Sequence, residues 1–134
     1  MVVEDSRADL YLIREAIAAT KIEVTLHVVP DGEQAVRFLD KSSGEGCPDL
    51  VLLDLNLPKR DGTEVLRYMR NKCSCKNALV LVVSSSDSGI DREAVKELGI
   101  SGYFRKPSAY DEFMKLGPIV EMLLLSTQAG GKKE

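Results

Sequence analysis

The chain has 134 residues, with 18 basic and 21 acidic side chains and a formal net charge of −3. That length fits one domain and leaves no room for a second, and the mild acidity, with pI near 5.3, disfavours a nucleic-acid-binding surface, which is normally basic. A hydrophobic content of 44% excludes global disorder, and no apolar run approaches the roughly 18 residues of a membrane span.

The start, Met1-Val2-Val3-Glu4-Asp5, lacks the basic and apolar stretches of a secretory signal, so the chain is expected in the cytoplasm. An odd count of three cysteines predicts reduced thiols in the same compartment. Cys73-Ser74-Cys75 has too few ligands for a zinc site and reads as free loop thiols.

Short apolar runs and segments of helical period alternate along the chain. Val2-Val3 is a fragment of a first strand. Leu10, Ile13 and Ile17 predict a helix from about Arg7 to Thr20. Val24 to Val29 reads as a second strand, Pro30-Asp31-Gly32 as a turn, and Ala35, Phe38 and Leu39 as a short helix. After a loop from Lys41 to Cys47, Leu50-Val51-Leu52-Leu53 is continuously apolar, as a strand buried on both faces requires.

Pro58 to Gly62 is a loop, and Thr63 is placed to cap a helix containing Val65, Leu66 and Met69. Leu79 to Val83 is a fourth strand and Ser84 to Gly89 a polar loop. A helix begins at Asp91, carries Ala94, Val95 and Leu98, and is stopped by Gly99. Ile100 to Arg105 is a fifth strand. Tyr110 to Ser126 forms a last helix in which Gly117-Pro118 predicts a kink or a restart. The domain spans 1–126, and 127–134 is a polar tail.

This order predicts an α/β fold: a doubly wound, five-stranded parallel sheet with helices on both faces. Such sheets bind ligands beyond the carboxyl ends of their strands, so the informative residues are those that end strands. Glu4 and Asp5 follow the first strand, Asp54 the third, Ser84 the fourth and Lys106 the fifth. Each alone is explained as a cap, a turn residue or a surface charge; together they share one crevice. No Ser-His-Asp set exists, because the single histidine, His27, lies in the second-strand segment, and no GxxxxGK[ST] loop is present.

Four motifs now line up: Val-Val-Glu-Asp at the start, Leu-Leu-Asp-Leu-Asn-Leu-Pro-Lys-Arg-Asp-Gly around Asp54, Ser84-Ser85, and Gly-Tyr-Phe-Arg-Lys-Pro ending at Pro107. In order and spacing they resemble the response-regulator receiver domains of two-component signalling, over nearly the whole chain. Glu-Asp-Ser-Arg-Ala-Asp and the long loop before Pro48 are similar to the small receivers associated with bacterial phytochromes. The resemblance implies the flavodoxin-like (βα)5 fold with strand order 2-1-3-4-5.

It also implies that Asp54 accepts a phosphoryl group from a phosphohistidine, on a sensor histidine kinase or a histidine phosphotransfer protein, a bacterial phytochrome being one such donor. Asp5, Asp54 and the backbone carbonyl of Asn56 would bind Mg²⁺, with Glu4 acting through water; carboxylates crowded together repel, and a hard oxygen-seeking cation relieves that. Lys106 would pair with a phosphoryl oxygen, aimed by Pro107, whose peptide bond is often cis in the family. Ser84 would hydrogen-bond the phosphoryl group, Tyr103 would be the switch aromatic, and Asn56 and Ser86 would tune the lifetime of the acyl phosphate.

On this reading the protein catalyses only its own phosphorylation and dephosphorylation and signals through a partner. The face made by the fourth helix, fifth strand and last helix is the family's usual contact surface. Leu123-Leu124-Leu125 exceeds one buried stripe there, so a homodimer or partner contact stands against a plain core helix. The rival readings are a non-phosphorylated interaction module, opposed by the intact acid, hydroxyl and lysine set, and a phosphatase of the haloacid-dehalogenase type. The latter needs an acid two residues after the nucleophile, where this chain has Asn56.

Overall fold

The computed structural model describes residues 1–86 and 88–131, apart from the side chains of 128–131. Five strands, β1 (Val2–Val3), β2 (Val28–Val29), β3 (Leu50–Leu53), β4 (Leu79–Ser84) and β5 (Gly102–Arg105), form one sheet in the order β2-β1-β3-β4-β5, and every pairing is parallel. The helices are α1 (Arg7–Ala18), α2 (Gly32–Asp40), α3 (Gly62–Asn71), α4 (Gly89–Leu98), a single turn α5 (Tyr110–Phe113) and α6 (Leu116–Gly131).

Alternation along each strand divides the core in two. Val3, Val51, Leu53, Val80 and Val82 face α2, α3 and α4, where Ala35, Leu39, Val65, Leu66, Met69 and Val95 cover them. Val2, Leu50, Leu52, Leu81 and Val83 face Ile13, Ala16 and Ile17 of α1 and Phe113, Leu116 and Val120 of the C-terminal helices. Each face buries its own apolar stripe, which is why the strands read as continuous hydrophobic runs.

Several element ends differ from expectation, each for a local reason. The second strand is confined to Val28–Val29 because a ladder needs a partner, and β1 offers only Val2 and Val3. His27 therefore lies just outside it, with its ring 4.1 Å from that of Phe38. A cavity of about 520 Å³ opens beside this segment, lined by Val24, Leu26, Leu50 and Val120 among others, and none of the strand-end acids borders it. Asp61, not Thr63, caps α3, its carboxylate accepting the Glu64 N–H at 2.9 Å. Ser88 caps α4, which starts at Gly89, and Gly99 ends it with φ +89°.

The C-terminal restart comes before Gly117-Pro118, between Phe113 and Leu116. Pro118 then sits in the first turn of α6, where a missing N–H costs no intrahelical bond. Gly117 is required for a different reason: a Cβ there would run into the backbone carbonyl of Ala16 on α1. Gly117→Val is expected to destabilise the fold by about 1–3 kcal/mol, whereas Gly89→Ala, which meets nothing within 4 Å, is expected to leave the thermal melt unchanged. α6 continues to Gly131, past the expected boundary at 126. Residues 132–134 of the expected tail lie outside the described residues.

The cysteine expectation is overturned. Cys47 and Cys75 form a disulfide with Cα atoms 5.5 Å apart, and Cys73 is a buried free thiol. The pairing follows from the sheet. Leu50 and Leu79 are partners at the start of β3 and β4, so the loops entering those strands abut. The sequential neighbours Cys73 and Cys75 do not pair, and the odd count carries no argument about compartment.

Arg70, on the last turn of α3, ties this end of the molecule together. Its guanidinium donates to the carbonyls of Leu98 (3.1 Å), Lys76 (2.6 Å), Ala78 (2.9 Å) and Gly99 (2.8 Å). One side chain thus satisfies carbonyls at the end of α4 and in the approach to β4.

Candidate functional site

At the carboxyl ends of the strands, Glu4, Asp5 and Asp54 each present a carboxylate oxygen within 4.8 Å of the others. β1 is central and pairs with β3 through Val3 and Leu53, so the residues that follow both strands emerge side by side. Glu4 and Asp54 are buried, and Asp5 is exposed. Asp54 Oδ1 accepts the Asn56 N–H at 3.2 Å, a bond that aligns the carboxylate within its own loop.

Lys106 arrives from β5. Its N–H donates to the carbonyl of Ser84 at 2.9 Å, extending the β4–β5 ladder by one residue and fixing where the side chain starts. Its Nζ lies 2.7 Å from Glu4 Oε1, 2.8 Å from Asp9 Oδ2 and 3.1 Å from Asp54 Oδ2. Burial, the largest single influence, works against the charged amine. The hydrogen bond to Asp9, the close contact with Glu4 and the charges of Asp54 and Glu4 outweigh it, and the amine is held above its usual range.

Glu4 is the strained partner. Burial pushes its carboxyl up to about 7, against the pull of Lys106. Oε2 accepts the Ser6 N–H at 3.1 Å, but Oε1, though at ion-pair distance from Lys106, accepts no hydrogen bond of proper geometry. A buried carboxylate oxygen with an unsatisfied lone pair, beside two further carboxylates, is what a hard divalent cation satisfies. The residues present therefore fit such an ion.

The structure brings together Glu4, Asp5, Asp54 and Lys106 as expected. Ser84 is fully buried at the end of β4, its Oγ accepting the Ser86 N–H at 3.2 Å. Ser86 turns its own hydroxyl to Asp91 of α4, 2.9 Å away. Tyr103 is half-buried. Its hydroxyl donates to the Ser86 carbonyl at 2.9 Å, and the Arg92 guanidinium lies 4.4 Å from its ring centroid. The aromatic is thus bonded directly to the loop that Ser84 begins. No cis peptide occurs among the described residues, so the Lys106–Pro107 bond is trans; the β4–β5 ladder already sets the position of Lys106 without it.

Asp9 is the site residue that sequence reasoning missed. It reads as an ordinary first-turn helix acid, favourable to the dipole. Only the fold brings the side chain of Lys106, which follows β5, to Asp9 in the first turn of α1. The sole signal available was its place at the end of the Glu-Asp-Ser-Arg-Ala-Asp run.

Comparison with known proteins agrees with this geometry. The family model for the response regulator receiver domain matches residues 1–116. The response regulator Rcp1 of Synechocystis sp. is 34% identical over 130 residues, covering 95% of this chain and 88% of its own. Among solved structures, the phosphorylated cyanobacterial phytochrome response regulator RcpA superposes with a TM-score of 0.83 at 35% identity, over 94% of this chain and 92% of that one. The Mn²⁺-bound form of Rcp1 gives 0.80 at 35% identity, over 90% and 88%.

Proposed function

The chain belongs to the response-regulator receiver family of two-component signalling, and from that premise we propose that Asp54 is its phosphoacceptor. The observation that carries this reading is the convergence of three carboxylates within 4.8 Å, with the Lys106 ammonium 3.1 Å from Asp54. An Asp54 oxygen attacks the phosphorus of a phosphohistidine; the P–O bond forms, the P–N bond breaks, and the imidazole leaves with the electron pair and takes a proton from solvent.

Asp5 and Asp54, with the Asn56 carbonyl that the family resemblance adds and Glu4 acting through water, would hold Mg²⁺ in this reading. When bound, the ion supplies the positive charge that lets two anions meet. Lys106, 3.1 Å from Asp54, supplies a second positive charge where negative charge develops on the transferring group. The Ser84 hydroxyl, now accepting from Ser86, turns to the new phosphoryl oxygens. Its loop moves with it, and Tyr103, bonded to that loop at Ser86, changes place as the second part of one two-state element. Asn56 and Ser86, at the positions that the family resemblance assigns to this role, would tune the lifetime of the acyl phosphate.

The protein performs no other catalysis in this reading. Its phosphoryl donor is a histidine kinase or a histidine phosphotransfer protein in the cytoplasm, and the similarity to RcpA, a phytochrome response regulator, supports a phytochrome as the kinase. The output surface is that of α4, β5 and the C-terminal helices, where Ile90, Tyr110, Met122 and Leu125 are exposed. A second copy of the chain is one partner for it. Leu123 and Leu124 pack on the second core, so the leucine run serves both sides.

The test is intact-mass spectrometry after incubation with acetyl phosphate. One phosphoryl adduct is expected with Mg²⁺, and none when the metal is chelated. A folded protein that takes no adduct with Mg²⁺ present would favour the interaction-module reading instead.

A further inference from the structure

Lys106 is held by more acid than phosphoryl transfer needs. Three carboxylates gather as a cation would require, but Asp9 stands outside that group and bonds only the lysine, at 2.8 Å. Asp9 lies in the first turn of α1, where its backbone N–H donates to the capping Ser6 Oγ at 3.2 Å. The cap fixes the Cα, so the carboxylate is presented to Lys106 by a set backbone. Its side chain is 30% exposed, against 8% for the lysine. Asp9 is therefore the wet edge of the cluster, the partner that moves into water at least cost.

An ammonium has three N–H donors. Here Asp9 and Asp54 each accept one, and the third side of the ammonium is filled by the Glu4 carboxylate, an ion pair at 2.7 Å. A phosphoryl group on Asp54 brings new anionic oxygens to the position Lys106 now faces, and a donor must be freed to meet them. Glu4 is buried and cannot withdraw its charge into water; Asp9 can.

We propose that Asp9 is a positioning residue. It anchors Lys106 in the unphosphorylated protein and releases it when the phosphoryl group arrives, so it competes with that group for the lysine. By linkage, the free energy of the Asp9–Lys106 contact is subtracted from phosphoryl binding. The inference rests on the phosphoacceptor reading above and adds to it the residue that sets how readily the site accepts an anion.

The test titrates the full chain with beryllofluoride, a tetrahedral phosphoryl analogue, at saturating Mg²⁺. Asp9→Asn and the second variant Asp9→Ser are expected to bind it about 5- to 20-fold more tightly than wild type, and Asp9→Glu to stay near wild type. In metal-free protein the Lys106 ammonium resonance is expected to be protected in wild type and to weaken in Asp9→Asn. A purely structural role would lower the melting temperature without tightening binding. Wild-type binding with no gain in either variant overturns this inference alone, and so does unfolding of both variants. Failure of the wild type to bind overturns the phosphoacceptor reading with it.

Discussion

Lys106→Met is expected to slow phosphoryl uptake from acetyl phosphate by about 10²-fold, the usual cost of removing one preorganised donor from a charge-developing site. The same substitution is expected to cost about 3 kcal/mol of stability in metal-free protein. It leaves Glu4 and Asp54 buried with no counter-charge, and breaking a buried pair is costly because of the charge left behind. Millimolar Mg²⁺ should return part of that stability, because a cation among Glu4, Asp5 and Asp54 replaces the lost ammonium. Denaturant unfolding with and without Mg²⁺, alongside initial rates by intact mass, reads both effects. A variant that matches the wild-type rate would remove Lys106 from the chemistry. A variant that loses stability equally in both conditions would separate the lysine from the cation site.

Arg70→Ala is expected to cost about 3–4 kcal/mol, a large part of the stability of a domain this size. Four carbonyls lose a charged donor at once, those of Leu98, Lys76, Ala78 and Gly99. They belong to the end of α4 and to the segment leading into β4, which this one guanidinium joins. Arg70→Lys should recover little, because an ammonium is a point donor and cannot span four acceptors in the plane that a guanidinium covers. Thermal melts of the two variants decide this. Phosphoryl uptake by whatever fraction stays folded should be unaffected, since Arg70 contacts the amino-terminal side of the sheet and the carboxylates lie at the other.

Most of the fold was legible in the sequence because the central strands bury both faces and the helices bury one. Leu50–Leu53 and the repeats of α1 and α3 carry those periods plainly. What was not legible depended on neighbours distant in sequence. Val24 to His27 have strand composition but no strand, because β1 starts opposite Val28 and puts no ladder partner beside them. Cys47 and Cys75 are paired by the β3–β4 register, which no local spacing reports. At the site, strand-end logic located Glu4, Asp5, Asp54, Ser84 and Lys106. Asp9 escaped it because it ends no strand and meets Lys106 only through the fold.

Whether Asp54 carries the phosphoryl group is open to direct measurement. The protein is phosphorylated with acetyl phosphate and Mg²⁺, the acyl phosphate is reduced with borohydride, and the resulting homoserine is located by peptide mass spectrometry, with Asp54→Ala treated in parallel. Conversion is expected at Asp54 alone, with none anywhere in the variant. Conversion at Asp5 or Asp9, or undiminished labelling of Asp54→Ala, would contradict the assignment.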